Sequence, residues 1–110
     1  MDVRELVEAR ARAAREGARA LALSSTRIKN DALAQMARAL EEKAGALIEA
    51  NRGDVERARA HGHPRAFLDR LTLTEPRIEE MAAGLRQIAA LPDPVRSVVE
   101  TRRRPNGLEI

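Results

Sequence analysis

Apolar positions recur at helical spacing along most of this chain, and the pattern changes near its C-terminal end. From about Asp2 to Ala22, the residues Val3, Leu6, Val7, Ala14, Ala18 and Leu21 share one side of a helix that Asp2 can cap. Much of that side is alanine and Gly17, which admits close approach but supplies little hydrophobic drive. Ser24-Ser25-Thr26 interrupts the pattern with good capping hydroxyls. A second helix then carries Leu33, Met36, Ala37, Leu40, Ala44, Leu47 and Ile48 on one face. Asn51-Arg52-Gly53-Asp54 reads as a kink or break, with Asp54 capping a short helix to about Ala60 and Gly62 ending it in the left-handed conformation.

His61-Gly62-His63-Pro64 forms a turn, and Leu71 to Thr74 a short extended connector. Thr74 caps the next helix, with Glu75 and Pro76 in its first turn, where a missing amide loses nothing. Ile78, Met81, Ala82, Leu85, Ile88 and Ala89 line one face of it, and Leu91-Pro92-Asp93-Pro94 stops it. Ser97-Val98-Val99-Glu100-Thr101 is β-branched and strand-like. Asn106-Gly107 follows as a hairpin signal, but only Leu108-Glu109-Ile110 remain for the return strand. A lone two-stranded ribbon is marginal even when complete, so the expectation is a polypeptide that continues. The expected class is mainly α: a helical segment over residues 1–95, then a strand and the start of a truncated β-hairpin over 96–110.

Composition narrows the picture. Leu, Ile, Val and Phe total 24 of 110 residues, near the level below which disorder is suspected, while a net charge of +3 keeps the chain out of the highly charged disordered class. The 21 alanines favour helix but bury little area, so ordered helices over a thin core are expected, needing a further surface to cover them. Basic residues number 20 and acidic ones 17, interspersed as on a solvated surface rather than a nucleic-acid stripe. There is no cysteine, hence no thiol nucleophile or thiolate metal site. No apolar run approaches a membrane span, and the first residues lack a secretory apolar core, so the expected location is cytoplasmic.

Candidate chemistry is sparse. His61 and His63 lack a third ligand and flank turn-formers, which favours a solvated turn over a metal site. Arg102-Arg103-Arg104 has no nearby aromatic for base stacking and suits an exposed edge before a turn. Glu41-Glu42 and Glu79-Glu80 are sequence neighbours, pointing about 100° apart on a helix, and cannot act as catalytic pairs. Ser24-Ser25-Thr26 has no elbow motif and reads as capping; Met36 and Met81 read as packing. No catalytic, cofactor-binding or metal-binding residue is assigned.

One set of words, in order, is more specific than any of these. It comprises Ser25, Lys29 and Asn30; Glu49-Ala50-Asn51 and Asp54; Leu68-Asp69-Arg70-Leu71-Thr72-Leu73; Arg77-Ile78, Met81-Ala82 and Gly84-Leu85-Arg86; Leu91-Pro92-Asp93-Pro94-Val95; and Arg104-Pro105-Asn106-Gly107-Leu108. From about Ala11 to Leu108 the chain resembles the early part of the glutamate-5-semialdehyde dehydrogenases (gamma-glutamyl phosphate reductases), within the aldehyde dehydrogenase superfamily. Arg96 and Arg102 depart from that resemblance, where glycine and tryptophan are common.

The resemblance implies a longer α/β parent, active in proline biosynthesis, that reduces L-glutamyl 5-phosphate with NADPH to L-glutamate 5-semialdehyde and phosphate. It implies a cysteine that attacks the acyl phosphate and a Rossmann-like dinucleotide surface. This chain has no thiol and no glycine-rich strand-to-helix loop. Expected partners are the remainder of the parent polypeptide and other copies of it, with no nucleic acid, membrane or metal. The chain alone is expected to be inactive. Two rival readings stand beside this one: a self-contained helical interaction module, built on the faces of Leu33 to Ile48 and Ile78 to Ala89, and a basic nucleic-acid binder, which the mixed charge disfavours.

Overall fold

The computed structural model describes residues 2–95 and 97–110. Its described residues contain five helices, α1 Val3–Leu23, α2 Thr26–Glu42, α3 Ala44–Ala60, α4 Arg65–Leu71 and α5 Glu75–Ala90, and no named strand. They divide into two compact units, one of Ser25–Leu91 and one of Met1–Ser24 with Pro92–Ile110.

In the Ser25–Leu91 unit, α2 opens at Ser25, whose hydroxyl accepts from the Ile28 amide at 3.2 Å, satisfying one of the free donors of the first turn. Its apolar face meets that of α5, and the buried hydrophobic residues at this contact are Ala37, Ile78 and Ala82. Burying Ile78 contributes roughly 1.5–3 kcal/mol, and the alanine methyls much less. The thin core expected from an alanine-rich composition is therefore present. Glu41 and Arg86 add an ion pair from α2 to α5; both side chains are about half exposed, so it contributes at most about 1 kcal/mol.

Two expectations for the middle of the chain are corrected. The long second helix divides at Lys43, φ −101° and ψ 12°, whose amide is shared between Ala39 O and Glu41 O. The expected break at Asn51–Asp54 does not occur, and α3 runs through it to Ala60. The physical reason lies in side-chain partners: Asn51 turns its amide to a distant segment, and Asp54 pairs with Arg57 in the next turn instead of capping. Helix end and turn follow expectation. Gly62 has φ +79°, its amide donates to Arg59 O at 3.0 Å, and the His63 amide donates to Ala58 O at 3.2 Å, which is the paired bonding of a Schellman end.

The seven-residue α4 was not expected; two turns are too short to display a period. It shortens the extended connector to Thr72–Thr74. Thr74 then caps α5 as expected, accepting from the Arg77 amide at 3.3 Å, and the helix ends before Pro92.

In the other unit, Asp2 and Glu5 form a reciprocal capping box at the start of α1, with Oδ1 of Asp2 accepting from the Glu5 amide at 2.8 Å. No residue of α1 is buried. The strand expected at Ser97–Thr101 is not formed. Those β-branched residues have no facing chain to bond, and side-chain preference alone does not hold a strand. The C-terminal residues make one isolated antiparallel bridge, Arg103 with Glu109. Around it, the Arg102 amide donates to Ile110 O at 2.9 Å and the Ile110 amide to Arg102 O at 2.8 Å. The turn inside it is a three-residue loop, Pro105 to Gly107, closed by Arg104 N–H to Leu108 O at 2.7 Å, rather than a two-residue Asn-Gly turn. Arg96, the first of the two departures from the family pattern, lies outside the described residues.

Candidate interaction surface

The polar side chains weighed in the sequence each have partners of their own. Nδ1 of His61 lies 2.6 Å from Arg57 O at the end of α3, while His63 stacks on Phe67 with centroids 4.2 Å apart. The two rings are thus held by different partners, and no group of three potential metal ligands exists among the described residues. Arg102 pairs with Glu100 at 2.8 Å and Arg103 with Glu109 at 2.9 Å, so two guanidinium groups of the arginine run face carboxylates. Glu41 is engaged by Arg86, and Ser25 caps α2. Among the described residues, no helix is long and apolar enough to cross a membrane.

What the Ser25–Leu91 unit does assemble is a polar tie under the connector between α4 and α5. Asn51 donates from Nδ2 to Leu71 O at 2.8 Å and accepts at Oδ1 from the Leu73 amide at 2.8 Å. One side-chain amide therefore satisfies both an acceptor and a donor of an extended backbone, as a neighbouring strand would. Arg77 completes the arrangement from the first turn of α5. It donates to Thr72 O at 2.6 Å and to Asp69 O, and its second nitrogen faces the Asp69 carboxylate at 3.3 Å. Asn51, Asp69, Thr72 and Arg77 all belong to the words that carry the resemblance; in this structure the Asn51, Thr72 and Arg77 side chains bond backbone, and the Asp69 carboxylate faces Arg77.

The second feature is an open groove of about 700 Å³ along the junction of α2 and α5, joined by the start of α3. Its lining is aliphatic or thioether apart from Lys43 at the helix break. Met36, Met81 and Ile88, expected as packing residues, stand 53%, 47% and 54% exposed along it. The contact of α2 with α5 uses only one side of each apolar face, and the groove is the other side. Its one ionisable group is Lys43, with no acid or base beside it in the lining, so the arrangement suits apolar contact.

No pyrophosphate cradle is found in these residues either. A dinucleotide site of the Rossmann kind requires a glycine-rich turn from a strand into a helix, and the described residues contain no named strand.

No protein-family model matches the chain. Sequence relatives do. Over 110 residues it is 52% identical to a gamma-glutamyl phosphate reductase of Moorella thermoacetica and 44% identical to one of Thermodesulfovibrio yellowstonii, covering all of this chain and 26% of each relative. Over 97 residues it is 53% identical to the corresponding protein of Nitrobacter winogradskyi, covering 88% of this chain and 23% of that one. Among solved structures, the gamma-glutamyl phosphate reductase of Thermotoga maritima matches at a TM-score of 0.81 and 39% identity, covering 86% of this chain and 23% of that one. The chain thus spans about a quarter of the length of the relatives it matches, and over most of its own length it is similar to them in sequence and in helical fold.

Proposed function

We propose, from its likeness to gamma-glutamyl phosphate reductases along all 110 residues, that this chain is the helical N-terminal part of an NADPH-dependent enzyme that reduces L-glutamyl 5-phosphate to L-glutamate 5-semialdehyde and phosphate in the cytoplasm, for proline biosynthesis. The single observation that carries this reading is the identity of 44% to 53% to proteins of that name. Within such an enzyme the chain is scaffold. Reduction of an acyl phosphate through a thioester needs a thiolate, and a sequence without cysteine cannot supply one. The residues that hold nicotinamide and thiol therefore belong to polypeptide outside these 110 residues. The chain's own polar side chains spend their hydrogen bonds on backbone and ion pairs, which accords with a supporting role.

The test is direct. The full-length enzyme encoded with this segment should consume NADPH in the presence of freshly generated glutamyl phosphate. Residues 1–110 alone should consume none above buffer. Full-length protein that leaves NADPH untouched would sink the assignment, and turnover by the 110-residue chain would show the chemistry to be misplaced.

A further inference from the structure

We propose that Asn106 is a site of self-modification, at which the chain's own Gly107 nitrogen displaces the side-chain ammonia and leaves isoaspartate in the turn. The inference stands apart from the reductase reading, because it needs only the residues of this turn.

The sequence has three asparagines, and the structure holds them differently. Asn30 lies inside α2 and is followed by Asp31. Asn51 lies inside α3, buried, with both ends of its amide bonded to backbone. Asn106 is exposed, lies outside every helix and is followed by glycine. Gly107 has no side chain to shield its main-chain nitrogen. The Asn106 side chain is already folded over that nitrogen: its Oδ1 accepts from the Leu108 amide at 3.2 Å, which wraps the side chain round the intervening peptide unit. The same N–H points at the oxygen on which negative charge collects when Cγ is attacked. One contact opposes the step. The Gly107 amide donates to Arg104 O at 2.9 Å and must leave it first, so reaction proceeds from turns that have opened. A ribbon tied by the single Arg103–Glu109 bridge opens readily.

The Gly107 nitrogen, its proton taken by a buffer base, attacks Cγ of Asn106. The N–Cγ bond forms, the Cγ–Nδ2 bond breaks, and Nδ2 leaves as ammonia after taking up a proton. The product is a succinimide ring, favoured because both reacting atoms belong to adjacent residues. Water then opens the ring. Hydrolysis at Cγ gives aspartate, and hydrolysis at the main-chain carbonyl gives isoaspartate, whose backbone runs through Cβ and Cγ. Either product adds a carboxylate close to Arg102-Arg103-Arg104 and lowers the net charge of +3 by one. Isoaspartate also lengthens the loop by a methylene, which shifts Leu108 and Glu109 against Arg104 and Arg103.

The experiment incubates the full-length protein at body temperature, in neutral and in mildly alkaline buffer, then digests it in mildly acidic buffer with a protease that cuts after glutamate. That cut releases residues 101–109 as one peptide whose only side-chain amide is Asn106. Its mass should rise by about one dalton as an amino group gives way to a hydroxyl, and faster in the alkaline buffer, because the attacking nitrogen must lose its proton. The shifted peptide should accept a methyl group from protein L-isoaspartyl methyltransferase. The peptides that carry Asn30 and Asn51 should keep their mass over the same period. An unshifted 101–109 peptide, a shift that yields aspartate alone, a rate indifferent to pH, or equal shifts at Asn30 and Asn51 would each overturn the proposal.

Discussion

Asn51 concentrates more structure than any other side chain here. It is the one buried polar residue among those described, and its two hydrogen bonds cross 20 and 22 positions of sequence. Replacing it with alanine strands the Leu71 carbonyl and the Leu73 amide, both half-buried, and the expected loss is about 2 kcal/mol. Asn51→Asp separates the two bonds. It keeps an acceptor for Leu73 but brings a carboxylate oxygen against Leu71 O, so it should destabilise as well. Thermal unfolding of both variants, with hydrogen exchange at the Leu73 amide, checks this; an Asn51→Asp protein as stable as the parent would deny the donor bond its role. None of this was legible in the sequence. Asn51 stands beside Gly53, and local chemistry at such a site reads as a turn, because an amide that serves a partner 20 residues away leaves no local mark. Ser25 and Thr74 were legible for the opposite reason: a cap is satisfied within three residues.

Periodicity marked the helices α1, α2 and α5, but not α3, which runs through the break expected at Asn51–Asp54. The faces assigned to α2 and α5 are the faces that meet, with Ala37, Ile78 and Ala82 at their centre. Two boundaries did not read: the division at Lys43 and the short α4 carry no strong local signal. The end of α3 did, because Gly62 takes a φ that side-chain-bearing residues avoid. Gly62→Ala should therefore cost about 1 kcal/mol, and Gly62→Asn, more tolerant of positive φ, clearly less. Denaturant unfolding of the two variants tests the order, and equal losses would mean the turn relaxes to another conformation. Helix α1 makes the contrasting case. With no residue buried, its order in this chain depends on the Asp2–Glu5 box and on exposed i,i+3 and i,i+4 ion pairs such as Arg19–Glu16 and Arg4–Glu8. Asp2→Ala is expected to remove helicity from α1 chiefly, seen as lower amide protection over residues 3–10 while the Ser25–Leu91 unit keeps its own. Unchanged protection there would show that α1 is held by packing.

A 110-residue chain whose buried hydrophobics, among the described residues, are Ala37, Ile78 and Ala82 has little apolar burial to set against its conformational entropy. Purified alone, it is expected to melt gradually by circular dichroism and to bind an apolar dye such as ANS through the groove of Met36, Met81 and Ile88. A sharp, cooperative transition without dye binding would instead favour the self-contained helical module. The alanine-rich composition made this thinness legible in advance. The groove was not, since periodicity marks which side of a helix is apolar but cannot say how much of that side its neighbour covers. The tie at Asn51 has one more consequence, for synthesis. Both of its partners emerge from the ribosome within a couple of dozen residues of it, so the helices it organises can close while most of a longer chain is still untranslated. In stalled nascent chains, slower cleavage of the Asn51–Leu73 stretch than of α1 at low protease concentration would reveal that early closure, and uniform sensitivity would deny it.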